Sequence, residues 1–130
     1  MRIIVADHHP EPLGALTMLL EEHPEFDLIG QAEDAQELLL LTEKHTADLV
    51  LIDSDLPGVS IEDLIARLHA IDPRPIVLGM SSEFENSRRM LKSGADAFVS
   101  KGDEPDWLLD KLHKYAKQVK MRRMSIENKP

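Results

Sequence analysis

The sequence has no cysteine, and this absence excludes disulfide bonds and metal centres that depend on thiolate ligands. It also has no apolar run close to the roughly 18 residues that a transmembrane helix needs. The first apolar segment begins at Arg2, and we therefore expect no signal peptide. Together these absences predict a cytoplasmic protein that relies on a hydrophobic core.

Positive charge is scarce as well, since 15 Lys and Arg residues stand against 24 Asp and Glu residues, for a formal net charge of −9. Nucleic-acid binding needs clustered basic side chains, so we expect this domain to bind neither DNA nor RNA. The one basic cluster lies near the end of the chain, at Lys117, Lys120, Arg122 and Arg123. We interpret it as a solvated helix end, and we expect no membrane binding.

Apolar strands alternate with amphipathic helices five times along the 130 residues, which suits a single domain. The predicted strands cover residues 2–6, 26–32, 47–53, 76–80 and 97–100. The predicted helices begin near residues 10, 34, 60, 83 and 104. This alternation predicts an α/β, doubly wound, five-stranded parallel sheet of the flavodoxin-like (βα)5 type, with strand order 2-1-3-4-5.

The last predicted helix, residues 104–120, carries an apolar stripe that we expect to face the sheet. We also expect Trp107 to anchor this helix on the sheet, because a lone tryptophan usually packs. Residues 121–130 show no periodicity. We therefore assign residues 1–120 to the domain and residues 121–130 to a tail or to the start of a linker to a missing output domain.

Three polar residues follow predicted strands at the points where those strands end. Asp7 follows the first strand, Asp53 ends the third, and Lys101 follows the fifth. Ligands of open parallel sheets bind in the crevice beyond the carboxyl ends of the strands, so these side chains should meet there. Two acids and a lysine at one point predict a site that handles phosphate.

Four stretches of the chain, in this order and at this spacing, resemble the receiver domain of two-component response regulators. They are Ile4–Pro10, Leu28–Asp34, Asp48–Gly58 and Ser93–Lys101. The resemblance covers the chain from Arg2 to about Val119 and is strongest to receivers that precede a LuxR-type helix-turn-helix domain. It implies a regulatory domain that signals by conformational change or dimerisation, and not an enzyme.

The resemblance also implies a role for each matching residue. Asp53 corresponds to the phosphoacceptor that takes a phosphoryl group from a histidine kinase, and Lys101 to the ion-pair partner of the phosphate. Asp7 corresponds to an acid that holds Mg²⁺, and Asp55 to the residue whose backbone carbonyl ligates that ion. Phe98 corresponds to the aromatic residue that changes rotamer on activation. Phosphoryl transfer depends mainly on positioning and charge neutralisation, which agrees with these roles.

Two positions depart from the family pattern. His8 stands where a second metal-binding acid is usual, and imidazole suits zinc, copper or nickel better than Mg²⁺, so we expect weak Mg²⁺ binding. The second departure concerns the Ser or Thr that ends the fourth strand in the family. Counting back from Lys101 at the family's usual spacing places this position at Gly79, whereas counting forward from Asp53 places it nearer Ser81. We give the count from Lys101 more weight. Gly79 offers no hydroxyl, so we expect phosphate to change the conformation little.

Other functions remain open beside the phosphorelay receiver. One is a phosphate-independent pseudo-receiver that acts as a protein-interaction module, with output through a homodimer built on helix 4, strand 5 and helix 5. A transition-metal site made of Asp7, His8 and Asp53 is another. A third is an aspartate-nucleophile phosphatase, since Asp53-Ser54-Asp55 resembles its Asp-x-Asp motif. The position of that motif disfavours it, because two strand–helix units precede the motif here.

Overall fold

The computed structural model of the protein describes residues 1–127. Five parallel strands form one sheet in the order β2-β1-β3-β4-β5, as the alternation of strands and helices predicts. The strands are β1 Arg2–Ala6, β2 Asp27–Ala32, β3 Leu49–Asp53, β4 Ile76–Ser81 and β5 Ala97–Ser100. The helices are α1 Pro10–Glu21, α2 Ala35–Lys44, α3 Ile61–His69, α4 Glu85–Lys92 and α5 Pro105–Glu127. The predicted flavodoxin-like fold is confirmed.

The sheet lies between two layers of helices because its central strands are apolar on both faces. Alternate residues of β1 divide between the two cores, with Ile3 and Val5 in one and Ile4 and Ala6 in the other. Helices α1 and α5 cover the first core, and α2, α3 and α4 cover the second. This arrangement leaves the carboxyl edge of the sheet open to a ligand.

Side-chain caps begin two of the helices where the sequence carries the appropriate residues. Asp34 accepts a hydrogen bond from the Glu37 backbone N–H at 2.7 Å, which begins α2. Ser60 accepts one from the Asp63 backbone N–H at 3.1 Å and begins α3. Helix α4 begins at Glu85, later than predicted, and no side chain caps it. The loop between Ser81 and Glu85 is therefore part of the carboxyl edge.

Helix α5 differs from the prediction in its packing and in its length. Trp107 is 60% exposed and does not anchor the helix, because the neighbouring Leu108 occupies the buried face about 100° away. The helix continues to Glu127, past the predicted end at Lys120. Arg123 contributes to this extension, since its guanidinium lies 2.8 Å from the Asp48 carboxylate at the start of β3. Of the predicted tail, residues 128–130 lie outside the described residues.

Within residues 1–127, none of the helices combines the length and the apolar character that crossing a bilayer requires.

Candidate functional site

The three residues predicted to meet at the carboxyl edge of the sheet do so. The Lys101 ammonium Nζ lies 2.6 Å from Asp7 Oδ2 and 2.8 Å from Asp53 Oδ1. Asp7 is fully buried and Asp53 is 2% exposed. Residues 94 positions apart in the chain thus form one ion-paired cluster between β1, β3 and β5.

The opposite charges of this cluster stabilise the ionised forms of its buried side chains. Burial alone would raise the pKa of the Asp7 carboxyl, but hydrogen bonds from Lys101 and from the backbone and ring of His9 outweigh it, so this pKa is lowered. Burial alone would lower the pKa of the Lys101 ammonium, yet its bonds to Asp53 and Asp7 raise it. We infer that Asp7 is ionised and Lys101 protonated near neutral pH.

Two histidine rings approach the carboxylate oxygens that Lys101 does not bond. His8 Nδ1 is 4.0 Å from Asp53 Oδ2, and His9 Nδ1 is 2.9 Å from Asp7 Oδ1 and 3.8 Å from Asp53 Oδ2. The His9 backbone N–H also donates to Asp7 Oδ1 at 3.0 Å. The short β1–α1 connection, which holds only Asp7, His8 and His9, brings both rings to the site.

The structure corrects the position of the strand-four hydroxyl. Ser81 is the last residue of β4, its backbone carbonyl accepts a hydrogen bond from the Lys101 N–H at 2.9 Å, and its side chain is buried. Gly79 lies two residues earlier, where a Cβ added to the glycine would stand 2.6 Å from Met90 Cε. Counting back from Lys101 at the family's usual spacing leads to Gly79 because the segment between β4 and β5 is two residues shorter here than that spacing assumes.

A small polar network surrounds the Ser81 hydroxyl. Its Oγ accepts hydrogen bonds from the Glu83 backbone N–H at 3.0 Å and from Asn86 Nδ2 at 3.0 Å. Asn86 Nδ2 also lies 3.3 Å from Ser54 Oγ, next to Asp53. Because Ser81 Oγ accepts both bonds, its own proton remains available to an acceptor at the site.

Of the other two predicted site residues, Asp55 contacts Asp53, whereas Phe98 packs against the core beside Gly79. The Asp55 backbone N–H donates to Asp53 Oδ2 at 3.2 Å, so the segment after β3 turns back over the carboxylate. Phe98 pairs with Gly79 across β4 and β5 and is partly buried against the core that contains Met90. Met90 occupies the space above Gly79, so Phe98 has a bulky neighbour on that face.

Sequence reasoning misses three residues of the site. The sequence indicates His9 only as the start of α1, although its place two residues after Asp7 in a short connection is a usable signal. Ser54 follows Asp53 directly and could have been expected near the site. Asn86 has no signal in the sequence, because its position depends on where α4 begins and how it crosses β4.

Comparison with known proteins agrees with the geometry. A family model for the response regulator receiver domain matches residues 3–113. The nitrate/nitrite response regulator protein NarL of Escherichia coli is 29% identical over 116 residues, which cover 88% of this chain and 54% of that protein. A putative transcriptional regulator of Pseudomonas aeruginosa is 30% identical over 110 residues, covering 83% of this chain and 53% of that protein. The chain therefore spans about half the length of these curated relatives.

Solved structures show the same fold. The signal receiver domain of the putative response regulator NarL from Mycobacterium tuberculosis gives a TM-score of 0.80 at 24% identity, covering 89% of this chain and 95% of that chain. RcsB from Salmonella enterica serovar Typhimurium, bound to the promoter rprA with the phosphomimetic BeF3⁻, also gives 0.80 at 24% identity, covering 90% and 60%. The family match spans most of the chain and includes Asp7, Asp53 and Lys101. This chain belongs to the family of response regulator receiver domains.

Proposed function

We propose that this receiver domain accepts a phosphoryl group on Asp53 from a histidine kinase. The rate is limited because His8 stands in place of a metal-binding acid. One observation carries the proposal: the ammonium of Lys101 bridges the buried carboxylates of Asp7 and Asp53 at 2.6 and 2.8 Å. A buried carboxylate beside a fixed cation is suited to phosphoryl transfer, which depends on positioning and on neutralised charge.

The chain's own residues account for the transfer step as follows. A carboxylate oxygen of Asp53 attacks the phosphorus of a phosphohistidine, an acyl phosphate bond forms, and the P–N bond breaks. The electron pair of that bond returns to the kinase imidazole, which takes up a proton. Lys101 bonds a phosphoryl oxygen, and Ser81 donates its free proton to another after a small movement.

The residues present fit Mg²⁺ poorly, although the family binds this ion at an acidic site. Mg²⁺ prefers carboxylate and carbonyl oxygens, and here His8 and His9 bring imidazole nitrogen to the side where oxygen is needed. Lys101 already bonds one oxygen of each carboxylate. We therefore propose weak Mg²⁺ binding.

Exposed apolar side chains support output through the surface of α4, β5 and α5. Phe84, directly before α4, is 79% exposed, and Leu91 on α4 and Trp107 on α5 are exposed as well. Contiguous apolar patches at a monomer's surface often mark a contact with another protein, and Phe84 and Leu91 line one shallow groove along α4. We propose a homodimer or partner contact there. The relatives named as regulators support a place for this domain in the control of transcription.

Two alternatives lose support. The phosphatase alternative is disfavoured because the receiver family match covers residues 3–113 and includes the two strand–helix units before Asp53. A pseudo-receiver without phosphoryl chemistry is disfavoured by the Lys101 ammonium beside Asp53 and by the Ser81 hydroxyl at the end of β4. The replacement of the second acid by His8 still favours a slow reaction over a fast one.

Treatment with acetyl phosphate and Mg²⁺, followed by intact-mass measurement, tests the proposal. We expect slow, substoichiometric addition of one phosphoryl group to the native chain and none to Asp53→Asn. The matched control is Asp27→Asn, an exposed acid at the start of β2 and at the opposite edge of the sheet, which should label like the native chain. Labelling of Asp53→Asn would overturn the assignment of Asp53. Rapid stoichiometric labelling would overturn the limited rate, and complete failure to label would favour the pseudo-receiver.

A further inference from the structure

Two imidazoles and two buried carboxylates converge on the β1–β3 side of the site. One donor atom from each of Asp7, His8, His9 and Asp53 lies within 4.8 Å of the others. The nitrogen-to-oxygen distances already given are 2.9, 3.8 and 4.0 Å. Ligand atoms bonded tetrahedrally to Zn²⁺ at about 2.0–2.1 Å stand about 3.3 Å apart. The observed distances lie on both sides of that value, and rotation of the exposed rings can bring the donors to it.

The carboxylate oxygens are divided between Lys101 and the histidines. Lys101 bonds Asp7 Oδ2 and Asp53 Oδ1, whereas the imidazoles approach Asp7 Oδ1 and Asp53 Oδ2. Each carboxylate can therefore ligate a cation with one oxygen while the other stays fixed by the lysine. Outer partners of this kind orient the ligands of metal sites. Two carboxylates and one ammonium also leave a local negative charge that attracts a dication.

The donor set determines which cation fits. Hard Mg²⁺ prefers six oxygen ligands, while a set of two imidazoles and two carboxylates suits Zn²⁺ and its neighbours among the transition metals. We propose that Asp7, His8, His9 and Asp53 form a binding site for a divalent transition-metal ion that is selective over Mg²⁺. The exposure of both imidazoles gives the ion a route from solvent.

This inference goes beyond the proposed function, because it does not require that Asp53 is ever phosphorylated. A bound ion would occupy Asp53 Oδ2, one of the two oxygens of the proposed phosphoacceptor. The state of the site would then depend on the concentration of a metal ion as well as on a phosphodonor. Metal binding can be measured without any phosphodonor, so the two proposals can fail separately.

Metal binding at a second cluster of histidines must be distinguished from binding at this site in any measurement. His23 Nδ1 and His113 Nε2 lie 3.1 and 3.4 Å from the same Glu25 Oε1, on an exposed surface between α5 and the segment before β2. This cluster offers one carboxylate and no buried partner that orients it. Replacing His113 by Ala removes one of its ligands without touching the carboxyl edge of the sheet.

Calorimetric titration of the tag-free chain in the His113→Ala background tests the proposal, with ZnCl2 and MgCl2 as probes. We expect one Zn²⁺ per chain and an affinity at least about tenfold above that for Mg²⁺. His8→Ala and His9→Ala should each weaken Zn²⁺ binding by about tenfold or more. His45→Ala, an exposed histidine at the end of α2, should change nothing.

Two further measurements keep the proposal open to refutation. Co²⁺ added to the same protein should give the intense visible absorption bands of a tetrahedral site with nitrogen ligands. This measurement requires no substitution in the site. Circular dichroism of the His8 and His9 variants confirms that they fold. The proposal is overturned if Zn²⁺ binds no tighter than Mg²⁺, or if its binding survives both histidine substitutions unchanged.

Discussion

The carboxyl edge of the sheet has two sides that carry different chemistry. On the β4–β5 side, Lys101 and Ser81 present an ammonium and a hydroxyl that suit an anion. On the β1–β3 side, His8 and His9 accompany Asp7 where a hard cation would need oxygen ligands. We therefore propose that anion binding and cation binding are separable in this site, because loops after different strands carry the groups suited to each. A substitution at His8 changes the β1–β3 side and removes neither Lys101 nor Ser81 from the β4–β5 side.

Lys101 joins the two sides, and its removal should have the largest effect. We expect Lys101→Met to lower the free energy of unfolding by about 3 kcal/mol at neutral pH, because it leaves two buried carboxylates without their cation. Urea denaturation measures this change. The double variant Lys101→Met/Asp7→Asn should recover most of the loss, since one buried charge remains in place of two. A loss below about 0.5 kcal/mol in the single variant would contradict the buried ion-pair account.

Replacing His8 by an acid should change cation binding on the β1–β3 side. We expect His8→Asp to tighten Mg²⁺ binding by about tenfold, or about 1.4 kcal/mol, because it supplies an oxygen ligand beside Asp53. Calorimetry is the suitable measurement, since it needs no reporter group in the protein. His45→Asp makes the same change of side chain at an exposed position after α2. Equal Mg²⁺ affinities in the native chain and His8→Asp would show that His8 is remote from the cation site.

Acid should weaken the fold through Asp7. The hydrogen bonds from Lys101 and His9 outweigh burial and hold the pKa of Asp7 below its usual 3.8. A carboxyl with a lowered folded-state pKa stabilises the fold above its unfolded-state pKa and loses that contribution as pH falls through the folded-state pKa. We therefore expect the native chain to lose more unfolding free energy than Asp7→Asn when the pH is lowered from neutral to below 3.8. Parallel losses in urea denaturation at the two pH values would mean that Asp7 is not stabilised as an anion.

The alternation of apolar strands and amphipathic helices is enough to predict the fold and three of the site residues. The apolar runs of β1, β3 and β5 end next to Asp7, Asp53 and Lys101, and parallel strands bring these ends to one edge of the sheet. Positions that depend on the length of a connection could not be predicted as well. The shorter segment between β4 and β5 moves the expected hydroxyl to Gly79, and the continuation of α5 is accompanied by a contact between Arg123 and Asp48, just before β3.

The role of the Ser81 hydroxyl gives the smallest predicted effect and tests the correction from Gly79. In a His8→Asp background, beryllofluoride with Mg²⁺ should shift amide signals near Asp53, Ser81 and Phe98. Adding Ser81→Ala should remove the shifts at Phe98, because no hydroxyl then follows the bound anion, and should cost about 1 kcal/mol through lost hydrogen bonds. Adding Gly79→Ala should keep them, since its methyl would displace the Sδ and Cε end of Met90 and meet Met90 Cβ at an ordinary contact distance of 3.4 Å. The reverse pattern, with loss in Gly79→Ala and retention in Ser81→Ala, would reinstate Gly79 as the switch position.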